Sequence, residues 1–116
     1  MSIFNFDVGM VGGISEGRKI ATMAEPHYVQ VAPHVYGGPM ITAASIQLSL
    51  ASPNFLIMEG IETFSGIYDE LTDPPFIWQA GFIIPSDRPG LGHDLREDVA
   101  RQLRPDNPGP STIRVH

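Results

Sequence analysis

The first half of the chain alternates between two kinds of hydrophobic pattern, and that alternation restricts the fold more than any other feature. Residues 2–6 ("SIFNF"), 28–32 ("YVQVA") and 55–58 ("FLIM") are short and largely apolar. Between them, residues 14–25 ("ISEGRKIATMAE") and 40–52 ("MITAASIQLSLAS") place small or apolar side chains every three or four positions. Ile14, Gly17, Ala21 and Ala24 line one helix face, and Ile41, Ala44, Leu48 and Ala51 line the other. Pro26 ends the first helical stretch, and Pro53 with Asn54 breaks the second. A strand covered on both faces reads as a continuous apolar run. The order strand–helix–strand–helix–strand therefore implies an α/β fold around a buried parallel sheet.

Beyond Glu59 the grammar changes. Residues 64–71 suit one short helix, 76–85 ("FIWQAGFIIP") one or two strands, 86–94 a turn, and 95–103 a terminal helix. The last residues, 105–116, are polar and proline-rich and are expected to form a flexible tail.

Charge and composition remove several function classes. The net charge is −6, and the seven Lys and Arg residues are scattered, so no basic patch exists for nucleic acid or an anionic membrane. No apolar run approaches the length of a membrane span. With no cysteine, disulfides and thiolate zinc sites are excluded. "MSIFNFDVGM" lacks the features of a signal peptide, and a cytoplasmic location is the expectation.

Three ionisable residues stand at the C-terminal ends of the three apolar runs: Asp7, His34 and Glu59. Active sites of open α/β sheets and of (β/α)8 barrels are built on that edge. Each residue also has an ordinary explanation. Asp7 precedes a "VGMVGG" loop, expected to be flexible, whose backbone it could bond. His34, after a proline, could be a plain loop residue. Glu59 is less easily dismissed, because a buried carboxylate needs partners. His27, His93 and His116 have no partner that the sequence can place. Together the three rim residues have a chemical use. An aspartate fixes the tautomer of a histidine and stabilises its imidazolium, and such a dyad moves protons. A glutamate one strand away could hold a substrate carboxylate or its developing enolate.

The stretches "NFDVGMVGGISEGRKIATMAE", "VQVAPHVYGGP", "SPNFLIMEG" and "PGLG" resemble the C-terminal part of the mandelate racemase and muconate lactonizing branch of the enolase superfamily. Within it they are most similar to acid-sugar dehydratases of the galactonate type. The intervals from Asp7 to His34 and from His34 to Glu59 agree with the dehydratase pattern. Two departures are "NF" before Asp7, where the pattern has "QP", and "PHY" at the turn into the next strand.

The resemblance implies that residues 1–72 carry about strands 6–8 of a (β/α)8 barrel, and that 73–104 return toward a capping domain. It implies His34 as general base or acid, Asp7 as its orienter, and Glu59 as a substrate-binding group. A Mg²⁺ ion is implied for the complete enzyme, with no metal ligand in this chain. The partners implied are an N-terminal barrel half, a capping domain and an acid-sugar carboxylate, in a homo-oligomer. A whole barrel takes about 250 residues, so little or no turnover is expected from this polypeptide alone. A racemase or cycloisomerase of the same branch would share most of this rim. A non-catalytic remnant or partner subunit from a split or truncated gene is a further alternative.

Overall fold

In the computed structural model, which describes residues 2–60 and 66–103, the three apolar runs lie side by side as parallel segments. β1 (Ser2–Phe4) pairs with β2 (Val29–Val31), Ser2 opposite Val29 and Phe4 opposite Val31. The middle segment resumes as β3 (His34–Val35), which pairs with β4 (Glu59–Gly60). Pro33 separates β2 from β3 because it has no N–H to give the ladder. Backbone bonds continue around it, from Ala32 N–H to Phe4 O, His34 N–H to Phe6 O and Glu59 N–H to Pro33 O. Residues 55–58 are less regular than the expected strand. Phe55 bridges Val31 and Leu56 N–H bonds the Val31 carbonyl, but regular pairing returns only at Glu59. Leu56 and Ile57 remain exposed, so packing does little to flatten this run.

Two other expectations are revised at the segment ends. The loop after Asp7 is in fact a short helix, α1 (Val8–Val11), with Asp7 as its N-cap. Gly12 closes it in the left-handed region, at φ 104°, and Gly13 follows at φ 92°. Only glycine adopts two such conformations in succession without strain, so the paired glycines let the chain leave α1 and enter α2 at once. Tyr28, expected in a strand, instead follows a 3₁₀ turn (Glu25–His27) at φ 56°. Pro26 removes the N–H that would extend the preceding helix, and the chain tightens before β2 begins.

α2 (Ile14–Ala24) and α3 (Pro39–Ala51) cover one side of the strands. Phe6, Val8, Ala21, Val31 and Leu48 form the first core cluster between these layers. Gly17 sits where α2 meets α3: a Cβ there would lie 2.7 Å from Leu48 Cδ2 and 3.2 Å from Phe6 Cε2. The second cluster, Val35, Ala43, Ile46 and Phe76, lies on another face of α3. Buried on two faces, α3 has little room for charge, and its sequence, "PMITAASIQLSLA", carries no Asp, Glu, Lys or Arg.

The second cluster also ties in the later residues. α4 (Ile67–Leu71) leads into β5 (Thr72–Asp73), which pairs antiparallel with β8 (Asp94–Leu95) ahead of α5 (Glu97–Gln102). "FIWQAGFIIP" resolves into a hairpin of β6 (Ile77–Gln79) and β7 (Phe82–Ile84). Its two-residue turn, Ala80 and Gly81, has positive φ at both positions, as a turn matched to strand twist requires. His93, to which the sequence assigns no partner, is buried. Its Nδ1 lies 2.7 Å from the Pro74 carbonyl, and its ring packs on Phe76 with centroids 4.2 Å apart. Residues 64 and 65 of the expected helix, the tail 105–116 and with it His116 lie outside the described residues. Among the described residues no helix is long and apolar enough to cross a membrane.

Candidate active site

Asp7, His34 and Glu59 form one row across the strand ends. Asp7 bridges His34 in parallel, and His34 is the register partner of Glu59. The chain thus brings all three sequence-designated residues to adjacent positions on three neighbouring segments.

Asp7 performs two tasks at once. Its Oδ1 accepts the Gly9 N–H at 2.7 Å and caps α1, and its Oδ2 lies 3.0 Å from His34 Nδ1. Asp7 thus bonds both the turn backbone and the His34 ring, one with each oxygen. Burial acts to raise the Asp7 carboxyl. Hydrogen bonds from the His34 ring and from the backbone N–H groups of Gly9, Tyr36 and Met10 outweigh it and hold the group below the usual aspartate value. A carboxylate acceptor at Nδ1 selects the neutral tautomer that carries its proton there, leaving the Nε2 lone pair for proton transfer. The exposures suit those roles: the Asp7 side chain is 9% exposed and the His34 side chain 36%.

Asp7 also predicts an acid response. A carboxyl whose pKa is lowered by folding stabilises the fold fully above its unfolded value, about 3.9. That stabilisation is lost as pH falls through the lower folded value. Urea unfolding followed by Trp78 fluorescence should therefore show wild type losing its advantage over Asp7→Asn as the pH drops from about 5 to about 3. A gap between the two proteins that stays constant across this range would show that the carboxyl is not the source.

Glu59 is exposed and has a partner the sequence reading missed. Asn5 Nδ2 donates to Glu59 Oε2 at 2.7 Å and to the Ala32 carbonyl at 3.0 Å. A signal was present, since Asn5 stands two residues before Asp7 and strand side chains two apart share a face. His27 lies in the 3₁₀ turn before β2 begins, and so at the opposite end of the strands from the rim. The Mg²⁺ implied by the resemblance finds no fitting donor set here. Among the described residues no group of three His, Cys, Asp or Glu is placed to hold a metal ion. The Asp7 oxygens, His34 Nδ1 and one Glu59 oxygen are moreover already engaged by hydrogen bonds.

Comparison with known proteins agrees with this architecture. The D-galactonate dehydratase of Verminephrobacter eiseniae is 35% identical over 114 residues, covering 93% of this chain and 30% of that protein. The D-xylonate dehydratase of Haloferax volcanii is 37% identical over 93 residues, covering 80% of this chain and 23% of that protein. Among solved structures, a mandelate racemase/muconate lactonizing enzyme-type protein from Labrenzia alexandrii DFL-11 superposes with a TM-score of 0.83 at 55% identity. That match covers 87% of this chain and 26% of the other. The chain thus spans between about a quarter and a third of the length of the relatives it matches. Residues 1–99 match the profile of the family described as Enolase C-terminal domain-like, and the chain belongs to that family, as a C-terminal part of the mandelate racemase/muconate lactonizing type.

Proposed function

We infer that this chain is the C-terminal barrel portion of an acid-sugar dehydratase, with its three parallel segments as strands six to eight of a (β/α)8 barrel. The observation that carries the reading is the single row Asp7–His34–Glu59, with His34 Nδ1 held 3.0 Å from Asp7 Oδ2. His34 Nε2 accepts the proton from the carbon beside the substrate carboxylate, or as imidazolium gives one to the departing hydroxyl. The α C–H and the neighbouring C–O bonds break, a carbon–carbon double bond forms between those two carbons, and the proton and the hydroxyl leave as water. The resulting enol takes up a proton at the carbon that lost the hydroxyl, gives up its own O–H proton to solvent, and becomes a 2-oxo-3-deoxy acid. Glu59 holds the substrate or its enolate form beside the dyad. Ligands for a divalent cation, the rest of the barrel and the capping domain come from outside these residues, so the chain alone is expected to give no turnover.

Grafting residues 1–103 in place of the corresponding segment of the V. eiseniae enzyme tests this reading. The graft should convert an aldonic acid to a 2-oxo acid in the presence of Mg²⁺. A folded graft that forms no 2-oxo acid from any aldonic acid would defeat the dehydratase reading. Exchange of the α-hydrogen with solvent deuterium but no loss of water would favour a racemase instead.

A further inference from the structure

Glu59 ends an exposed segment, and a glutamate side chain in such a place samples several rotamers unless something restrains it. The restraint here is Asn5. One amide nitrogen carries two hydrogens, and both have acceptors: the Ala32 carbonyl at 3.0 Å and Glu59 Oε2 at 2.7 Å. The orientation of the amide follows from this pairing, because turning it over would set Asn5 Oδ1 against a carbonyl and a carboxylate. Ala32 lies on the middle segment between β2 and β3 and its N–H bonds the Phe4 carbonyl, so the amide is anchored to backbone that is itself paired. Asn5 thereby spans three segments: its own, the middle one, and the one that carries Glu59.

We propose that Asn5 is a positioning residue for Glu59, fixing Oε2 through a backbone-anchored amide and leaving Oε1 as the oxygen that meets substrate. This rests on the reading of Glu59 as the substrate-holding group. Among the described residues no side chain bonds Oε1. A hydrogen bond to a charged acceptor is stronger than one between neutral groups, which suits it to hold an exposed carboxylate.

Two measurements test the proposal. In the 116-residue chain, the Asn5 side-chain amide proton that bonds Glu59 should move upfield in Glu59→Ala. The Gln47 side-chain amide, bonded elsewhere to the Leu91 carbonyl, should stay in place as a control. An Asn5 signal that does not respond to Glu59→Ala overturns the proposal, whatever reaction the protein catalyses.

The second measurement uses the grafted enzyme. Asn5→Ala should lower kcat/KM roughly tenfold or more, while the pH limb set by the His34–Asp7 dyad stays where it is. The near-isosteric Asn5→Asp, which puts a like charge against Glu59, should do at least as much harm. In a Glu59→Ala background both Asn5 substitutions should have almost no further effect, because a residue acting through Glu59 has nothing left to act on. An undiminished loss in that background would mean a general structural role and would overturn the proposal. A graft that forms no 2-oxo acid with Asn5 intact defeats the dehydratase reading, and the amide measurement still decides the Asn5–Glu59 link.

Discussion

His34→Ala in the grafted barrel is expected to lower kcat by about 10²–10⁴-fold, the range that a positioned general base or acid contributes, without unfolding the protein. The ring is more than a third exposed and lies outside both core clusters, so removing it leaves the packing intact. The informative companion is Asp7→Asn. Asparagine caps a helix about as well as aspartate does, so the Gly9 N–H keeps its acceptor and α1 should persist. An amide N–H facing His34 Nδ1, however, turns that nitrogen into the acceptor and moves the ring proton to Nε2, where the base is needed. Asp7→Asn should therefore reach nearly the same kinetic loss as His34→Ala while retaining most of its stability near neutral pH. Steady-state rates and urea midpoints measured on the same preparations separate the two effects. If Asp7→Asn kept full activity, the dyad would not be the proton-transfer unit.

The parts of this site legible in the sequence were those set by pattern over many residues. Three apolar runs separated by two helical periods are enough to require parallel neighbours, and parallel neighbours put Asp7, His34 and Glu59 on the same edge. What escaped depends on single atoms. Four residues carry too little periodicity to announce α1; its existence rests on one oxygen of Asp7 and the positive φ of Gly12. The partner of His93 escaped because its acceptor is a backbone carbonyl, Pro74, which no side-chain motif can signal. Asn5 was within reach of strand alternation. Its acceptor lies 54 residues away in the chain, and only the register of three segments brings the two together. The resumption of the middle segment as β3 also escaped, because the proline and glycines of residues 33–39 read as a loop, and so did the irregular run at 55–58, because "FLIM" has the composition of a strand.

Leu48→Ala should be among the most damaging single substitutions to stability, at about 2–5 kcal/mol. Leu48 is 1% exposed and joins α3 to the first core cluster. Its cost lies at the high end because Phe6, just after β1, and Gly17 of α2 face it and cannot both close on the space it leaves. Gly17 makes the case testable as a pair. In the wild-type background Gly17→Ala brings a Cβ to 2.7 Å from Leu48 Cδ2 and 3.2 Å from the Phe6 ring. The resulting overpacking, about 1–3 kcal/mol, offsets or exceeds the gain of about 1 kcal/mol that alanine has over glycine inside a helix. With Leu48 already cut to alanine, the tighter contact is gone and the new methyl enters the space. There Gly17→Ala should stabilise, and the double variant should be more stable than Leu48→Ala alone. Urea midpoints for the four proteins of the cycle measure this coupling, and equal effects of Gly17→Ala in both backgrounds would show that α2 and α3 do not meet at this pair.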